Sequence, residues 1–333
     1  MKKFIFRGLL YAIPLILCVI AIAILDPYYL FHPNRPFNQT KYDIGYSYDQ
    51  GHRYKIFRYL NNPQPSIILG ASEINVISER NIPEEGWQSL SFGGAELEES
   101  IDLFWYLAKE HQLKKVLLAP EFIKFYNAII ASDINRYSWA GTRAAQTINL
   151  FDNKLESFVD KYTIQSTYYY LLHQVGVEKT RNKPTGGKEG FWAEQLQYGE
   201  KQYSSPFDEG KRNSMYSSLR KVGEYCQQNS IEIIVVLPIQ HTDLISLEYS
   251  PEVYPIYRDY LAHLISSFGK VYYFDYPNKI SKDSESFSDP FHYLYPELYL
   301  DAIWGDDTSH VTILNSWDDL KTVDSIRSSF NAQ

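Results

Sequence analysis

Residues 66–73 read Ser-Ile-Ile-Leu-Gly-Ala-Ser-Glu, and this stretch decides how the rest of the chain is interpreted. Its first four residues form a short apolar run that ends at Gly70, which is typical of a strand buried on both faces. The residues after Gly70 are compatible with a helix, so Ser72 is predicted to lie at a strand-to-helix turn. The hydroxyl of such a serine is exposed above the sheet, although Ser72 would serve equally well as an ordinary helix N-cap.

The same alternation continues along the chain. Short apolar runs predict further strands at 88–92, 115–119, 231–237 and 271–274, and helical spacing predicts helices at 95–112, 214–228 and 254–268. Strands that are continuously apolar and alternate with helices indicate an α/β fold, in which helices cover a parallel sheet on both faces. In open sheets of this kind, ligands bind beyond the carboxyl ends of the strands.

Several candidate site residues follow those strand ends. Gly93 and Gly94 come after the second strand, where they would either offer backbone N–H groups to a ligand or simply form a tight turn. Glu121 follows the third strand and, like Glu73, is a candidate for substrate binding. The alternative for Glu121 is a carboxylate that favours the start of the next helix.

A late acid–histidine pair offers a general base. Residues 287–293 read Phe-Ser-Asp-Pro-Phe-His-Tyr, so that Asp289 and His292 stand three apart on a turn. At this spacing both side chains can face one point, with the histidine as general base and the aspartate orienting it. His241, which follows the strand at 231–237, is a reserve candidate for the base. Asp307 and His310 repeat the same spacing and form a second, less favoured pair.

The N-terminus predicts a membrane anchor. Residues 8–25 carry no charge, follow the basic residues Lys2, Lys3 and Arg7, and are just long enough to cross an apolar core of about 30 Å. The positive charges place the N-terminus in the cytoplasm and the bulk of the chain outside it. The alternative is a signal peptide cleaved after Ala23, which would also export the domain.

These features predict three regions. Residues 1–27 form a cytoplasmic tip and transmembrane anchor, 28–60 a stem rich in proline and tyrosine, and 61–333 an extracytoplasmic domain. An insertion at about 125–210 interrupts the βα alternation. It contains a predicted helix at 162–174 and is interpreted as a lid or partner surface rather than a separate domain.

Charge and composition exclude other classes of function. The net charge is −8 and no basic cluster occurs beyond the N-terminus, which argues against nucleic-acid binding. Neither the two cysteines, Cys18 and Cys226, nor any histidine spacing indicates a metal site, and no phosphate-binding loop is present. No metal or cofactor is therefore predicted.

The order of motifs resembles that of a known superfamily. A strand followed by Gly-x-Ser, glycines after the second strand and a late Asp-x-x-His is similar to SGNH (GDSL-type) hydrolases. Gly-Ala-Ser-Glu-Ile behind an N-terminal anchor also resembles the membrane-anchored D-alanyl transfer proteins and related polysaccharide O-acylation proteins. The resemblance implies a flavodoxin-type sheet and a membrane-bound O-acyltransferase as partner. It also implies residue roles: Ser72 as nucleophile, His292 as base, Asp289 as orienting acid, and Gly93 with Gly94 at the oxyanion hole.

One departure from that superfamily leaves two functions open. The Gly-x-Asn-Asp motif, whose asparagine supplies an oxyanion donor, is replaced here by Ala119, Pro120 and Glu121. The first hypothesis is a serine acyltransferase or esterase that modifies a cell-envelope polysaccharide or a teichoic-acid-like polymer. The second is a catalytically silent binding or assembly subunit of an envelope polymer acylation or export complex.

Overall fold

The computed structural model of the chain is an α/β structure built around a mostly parallel sheet. It describes residues 2–26, 32, 51–131, 138–153, 156, 161–176 and 187–332, without the side chains of 2–11, 161 and 162. The chain forms two units: the first comprises Met1–Pro63 and Trp139–Asn182, and the second comprises Gln64–Ser138 and Lys183–Gln333.

The sheet lies in the second unit and has six strands. They are β1 (Ser66–Leu69), β2 (Trp87–Ser89), β3 (Lys115–Leu118), β4 (Glu232–Leu237), β5 (Val271–Tyr273) and β8 (Thr312–Leu314). Their order is β2-β1-β3-β4-β5-β8, and all neighbours are parallel except β5 and β8. The strands β6 (Phe287–Asp289) and β7 (His292–Tyr293) form a separate antiparallel pair.

The described helices are numbered in chain order. They are α1 (Lys2–Leu25), α2 (Gly51–Asn61), α3 (Leu97–Glu110), α4 (Phe122–Ile129), α5 (Arg143–Asp152), α6 (Lys161–Gln174), α7 (Gly187–Tyr203), α8 (Glu209–Gln228), α9 (Thr242–Glu248), α10 (Tyr254–Phe268), α11 (Glu297–Trp304) and α12 (Leu320–Asn331). Single turns of 3-10 helix occur at Ser72–Ile74, Trp139–Gly141, Ser284–Ser286 and Trp317–Asp319.

The predicted α/β fold with its parallel sheet is confirmed. The apolar strands are buried, and on one face of the sheet Ile68, Leu117 and Val236 pack in a common core with Tyr299 of α11. The first five strands follow the order 2-1-3-4-5 known from flavodoxin-like sheets.

Two local predictions differ from the structure. The segment after Gly70 forms only the 3-10 turn Ser72–Ile74, not a helix, because Asn75 and the β-branched Val76 and Ile77 favour the helical conformation weakly. The antiparallel edge strand β8 was not predicted; it is only partly buried, and its three residues do not stand in a longer apolar run.

The first unit contains α1, α2, α5 and α6, with α2 packed against α5 and α1 packed against α6. Within the part of the chain that the structure describes, no helix combines the length and the apolar character required to cross a membrane. Of the predicted stem, residues 28–31 and 33–50 lie outside the described residues, and 51–60 belong to α2. The predicted insertion at 125–210 is divided between the two units.

The contact between α8 and α10 gives a test of the packing in the second unit. A Cβ atom at Gly223 of α8 would lie 2.0 Å from the backbone oxygen of Ser267 in α10, so the two helices can approach only because this residue is glycine. Alanine normally stabilises a helix interior by about 1 kcal/mol relative to glycine. Here, however, the clash outweighs that gain, and we expect Gly223→Ala to lower the free energy of unfolding by about 1–2 kcal/mol.

Urea unfolding of the full chain measures this difference. Asn213→Ala, at an exposed position of the same helix, is the matched control and should leave the unfolding midpoint nearly unchanged. A Gly223→Ala chain that is more stable than wild type would mean that α8 and α10 are not in close contact.

Candidate active site

The candidate site lies at the carboxyl edge of the sheet, where β1 is flanked by β2 and β3. In sheets of this strand order, that position is the switch point at which ligands bind. Ser72 and Glu121 follow β1 and β3 directly, so parallel pairing alone brings them to the same edge.

A close contact between the two strand ends fixes the turn that carries Ser72. A Cβ atom at Gly70 would lie 3.0 Å from Ala119 Cβ and 3.1 Å from the Ala119 backbone oxygen, and φ at Gly70 is +154°. Only glycine fits at this point. The turn after β1 is therefore held against the end of β3.

Ser72 is the first residue of its 3-10 turn and is partly exposed. The N-cap position belongs to Ala71 and carries no side-chain cap, so Ser72 does not act as a helix N-cap. The Ser72 hydroxyl donates a hydrogen bond of 3.2 Å to Glu73 Oε2. The Ala71 N–H, in turn, donates to Glu121 Oε1 over 3.3 Å.

The glycines after β2 border this turn. The Phe92 N–H donates to the Gly70 carbonyl, and a Cβ atom at Gly93 would stand 4.0 Å from Ser72 Cβ. Gly93 and Gly94 are both exposed, and Gly94 has a φ of +69° that favours glycine. The backbone of these glycines thus forms an accessible wall beside Ser72.

The acid–histidine pair lies at the same place. The strand β7, which begins with His292, packs against the 3-10 turn of Ser72. His292 Nδ1 lies 2.7 Å from each carboxylate oxygen of Asp289. Asp289 is buried and also accepts the Phe291 N–H, whereas the His292 side chain is 32% exposed. Since Asp289 occupies Nδ1, Nε2 is the nitrogen available to take a proton.

The surroundings of the pair shift both of its pKa values. Burial lowers the pKa of His292, but its hydrogen bond to Asp289 and the nearby Glu73 carboxylate outweigh burial and raise it. Burial raises the pKa of Asp289, yet its hydrogen bond and attraction to His292 leave that pKa below its usual value. The aspartate is therefore ionised at neutral pH and orients the imidazole.

Ser72 and His292 are neighbours but are not hydrogen-bonded to each other. Among the described residues, the Ser72 hydroxyl bonds to Glu73 alone, and His292 Nε2 has no hydrogen bond. Transfer of the serine proton to His292 therefore requires the hydroxyl to turn away from Glu73.

A buried cation accompanies these acidic groups. Burial and the charge of Glu73 hold the pKa of Glu121 well above its usual range. Lys124, one turn into α4, is only 9% exposed. Burial lowers its pKa, but Glu73 and Glu96 outweigh burial and raise it, so the ammonium group stays charged.

The ammonium group of Lys124 has no hydrogen bond or ion pair within the described parts of the chain. It lies near enough to lower the pKa of His292 by its charge. The sequence does contain a pattern that singles out this residue. Lys124 is the one charged residue in the otherwise apolar or uncharged helix Phe122–Ile129.

A second residue that sequence reasoning missed comes from the predicted insertion. Tyr198 of α7 accepts a hydrogen bond of 2.9 Å from Asn127 Nδ2, and its ring centroid lies 6.2 Å from that of Phe291, next to His292. Tyr198 also interacts electrostatically with Lys124 and is 39% exposed. The helix α7 therefore forms one border of the site.

The reserve candidates have other surroundings. His241 is the N-cap of α9, where its side chain accepts the Asp243 N–H, and its ring lies edge-on to Trp192 at 4.7 Å. Burial lowers its pKa. Asp307 and His310 are exposed in the loop before β8, where Asp307 accepts the Ser309 N–H. Among the described residues, no group of three His, Cys, Asp or Glu side chains could hold a metal ion.

Comparison of the chain with models of protein families, with curated proteins and with solved structures found no match. The interpretation of the site therefore depends on its own geometry and chemistry.

That geometry predicts how the pKa of His292 depends on Asp289. Replacing Asp289 with Asn removes the negative charge and the strong hydrogen bond that raise the pKa, while burial, which lowers it, remains. We expect Asp289→Asn to shift the pKa of His292 downward in a histidine NMR titration of the full chain. Asp307→Asn is the control and should not change it, and an unchanged pKa in Asp289→Asn would show that the pair is not formed in solution.

Proposed function

We propose that the chain is a membrane-anchored serine acyltransferase or esterase with an SGNH-like site, which O-acylates or deacylates a cell-envelope polysaccharide or a teichoic-acid-like polymer. The observation that carries this proposal is the position of the Asp289–His292 pair, with its 2.7 Å contacts, against the turn of Ser72. A hydroxyl, an imidazole and a buried carboxylate in this arrangement are the parts of an activated serine nucleophile.

In the proposed reaction, Ser72 Oγ attacks the carbonyl carbon of an ester and its proton passes to His292 Nε2. The tetrahedral intermediate collapses when the bond to the leaving alkoxide breaks and His292 returns the proton to that oxygen. The resulting acyl-Ser72 ester is then attacked by a polymer hydroxyl or by water, with His292 again accepting and returning one proton. Attack by a hydroxyl transfers the acyl group, and attack by water releases it as a carboxylic acid.

The hydrogen bond between Ser72 and Glu73 does not prevent this chemistry. A hydrogen bond from a hydroxyl to a carboxylate contributes about 1.5–3 kcal/mol net, and at 3.2 Å this one is long, so rotation about one side-chain bond can release the hydroxyl. The same bond is also the observation that favours the second candidate function. In a catalytically silent subunit, Glu73 would hold the serine permanently away from His292.

Lys124 takes the role that the missing asparagine would have. A buried charged group that acts on the pKa of His292, and that has no hydrogen-bond partner in the described chain, is available to the negative charge that develops on the carbonyl oxygen. We infer that Lys124 and the exposed backbone of Gly93 and Gly94 together stabilise the oxyanion.

The proposed location follows from the N-terminal sequence. Residues 8–25 are uncharged, and α1 exposes apolar side chains along its described part, among them Leu15, Leu17 and Ile24. An anchor of this kind would keep the site at the outer surface of the cell membrane. There a membrane-bound O-acyltransferase would be the partner that delivers the acyl group.

A serine-directed probe tests the proposed nucleophile. The full chain in detergent should react covalently with a fluorophosphonate, and Ser72→Ala should abolish the labelling because it removes the proposed nucleophile. Ser78→Ala is the matched control: Ser78 is bonded to Asn81 at 2.6 Å and lies outside the site, so labelling should be unchanged.

The two functions give different results in this experiment. Labelling that survives Ser72→Ala would contradict the proposed nucleophile. A wild-type chain that is folded but takes up no probe would favour the silent subunit.

Hydrolysis of p-nitrophenyl acetate tests the role of Lys124. Loss of one oxyanion-stabilising group typically reduces kcat by about 10²-fold, and we expect Lys124→Met to do so. Because Lys124 lowers the pKa of His292, the acidic limb of the pH–rate profile should also move to higher pH. Lys188→Met, at the exposed start of α7, is the control, and a Lys124→Met enzyme with wild-type kcat would contradict the assignment.

A further inference from the structure

The helix α6 of the first unit buries hydroxyl-bearing side chains and exposes a row of apolar ones, which is the reverse of the arrangement in a surface helix in water. Its buried residues are small and hydroxyl-bearing: Thr163, Ser166 and Thr167 are only 1–3% exposed. Its exposed residues include a row of apolar and aromatic side chains, which we call the apolar stripe, while Gln165 and Gln174 are exposed outside that row. The stripe consists of Ile164 (41% exposed), Tyr168 (56%), Leu171 (44%) and Val175 (73%), the last just beyond the end of the helix.

The stripe is continuous along the helix. At 3.6 residues per turn, spacings of four, three and four residues place all four members within an arc of about 60°. The surrounding sequence carries no Asp, Glu, Lys or Arg between Lys161 and Glu178. A helix that lies on a protein surface in water shows the opposite pattern, with its apolar side inward and its charges outward.

Lipid is the solvent that explains this reversal. Helices in membranes pack through small residues and hydroxyl groups and direct their apolar side chains outward, since lipid tails are as apolar as leucine. Leaving a large apolar side chain in water instead of burying it costs about 1.5–3 kcal/mol, which makes four such residues in one row unfavourable in an aqueous setting.

The neighbour of α6 supports the same conclusion. α6 packs against α1, whose described side chains expose Leu15, Leu17 and Ile24. Residues 8–25 of α1 carry no charge. The two packed helices thus both present apolar side chains outward.

We propose that α6 is a second membrane-contacting helix, which lies beside α1 with its apolar stripe against the acyl chains of the bilayer. Its 14 residues span about 21 Å, less than the hydrocarbon thickness of about 30 Å, so α6 lies in the interface and does not cross it. The consecutive tyrosines 168–170 suit the headgroup level, where aromatic residues with a polar tip are enriched. The proposal rests on the membrane attachment through α1 proposed above.

An environment-sensitive fluorophore on the full chain tests this position. Cys18→Ser and Cys226→Ala remove the native thiols, and NBD is attached to a single new cysteine in Leu171→Cys. The matched control is Gln165→Cys, an exposed position about 120° away from Leu171 around the same helix. Circular dichroism confirms that each labelled chain is folded, and flotation with phosphatidylcholine–phosphatidylglycerol vesicles measures membrane attachment.

We expect the emission of the label at 171 to shift to the blue when vesicles are added. Spin labels on the acyl chains of the lipids should then quench the greater part of this emission. The label at 165 should show a clearly smaller effect. A blue shift at 171 without quenching by the acyl-chain spin labels would mean that another protein surface covers the stripe, and it would overturn the proposal.

Flotation separates the two proposals. A chain that floats while its label at 171 stays as exposed to water as that at 165 contradicts the proposal for α6 alone. A chain that does not float contradicts the anchor as well, and then the proposal for α6 fails with it.

Discussion

Parallel pairing of β1 with β2 and β3 is the constraint on which the candidate site depends. It places the residues after three strands, Ser72, Gly93 and Glu121, at one edge of the sheet, although they are separated along the chain. The contact of Gly70 with Ala119 then holds the turn of Ser72 against β3. The short ribbon of β6 and β7 adds His292 from the far end of the sequence.

The charges at this edge are arranged around one exposed hydroxyl. Burial and the charge of Glu73 raise the pKa of Glu121 well above its usual range, while Lys124 remains charged. The Glu73 carboxylate raises the pKa of His292 and the Lys124 ammonium lowers it, so that pKa depends on both groups. Such groups are costly to bury and contribute little to stability, and groups with strongly shifted pKa values cluster at functional sites in proteins.

Much of this arrangement could be predicted from the sequence. Ser66–Leu69 and Tyr254–Phe268 have the predicted bounds because continuous apolar runs and helical periodicity are strong local signals. The helix expected after Gly70 was wrong, because a single 3-10 turn leaves no periodic pattern. Lys124 and Tyr198 were missed because their proximity to His292 arises from tertiary packing. The outward-facing apolar side of α6 could not be predicted either. The sequence does not tell which face of this helix is buried; the burial of each side chain in the structure does.

The most direct test of the central claim is to detect the covalent intermediate. If Ser72 is the nucleophile and His292 its base, rapid mixing of the full chain with p-nitrophenyl acetate, acid quenching and peptide mass spectrometry should find one acetyl group on Ser72. The acetylated fraction should form far more slowly in His292→Ala. Acetylation at other residues only, or equally fast acetylation of Ser72 without His292, would contradict the proposed site.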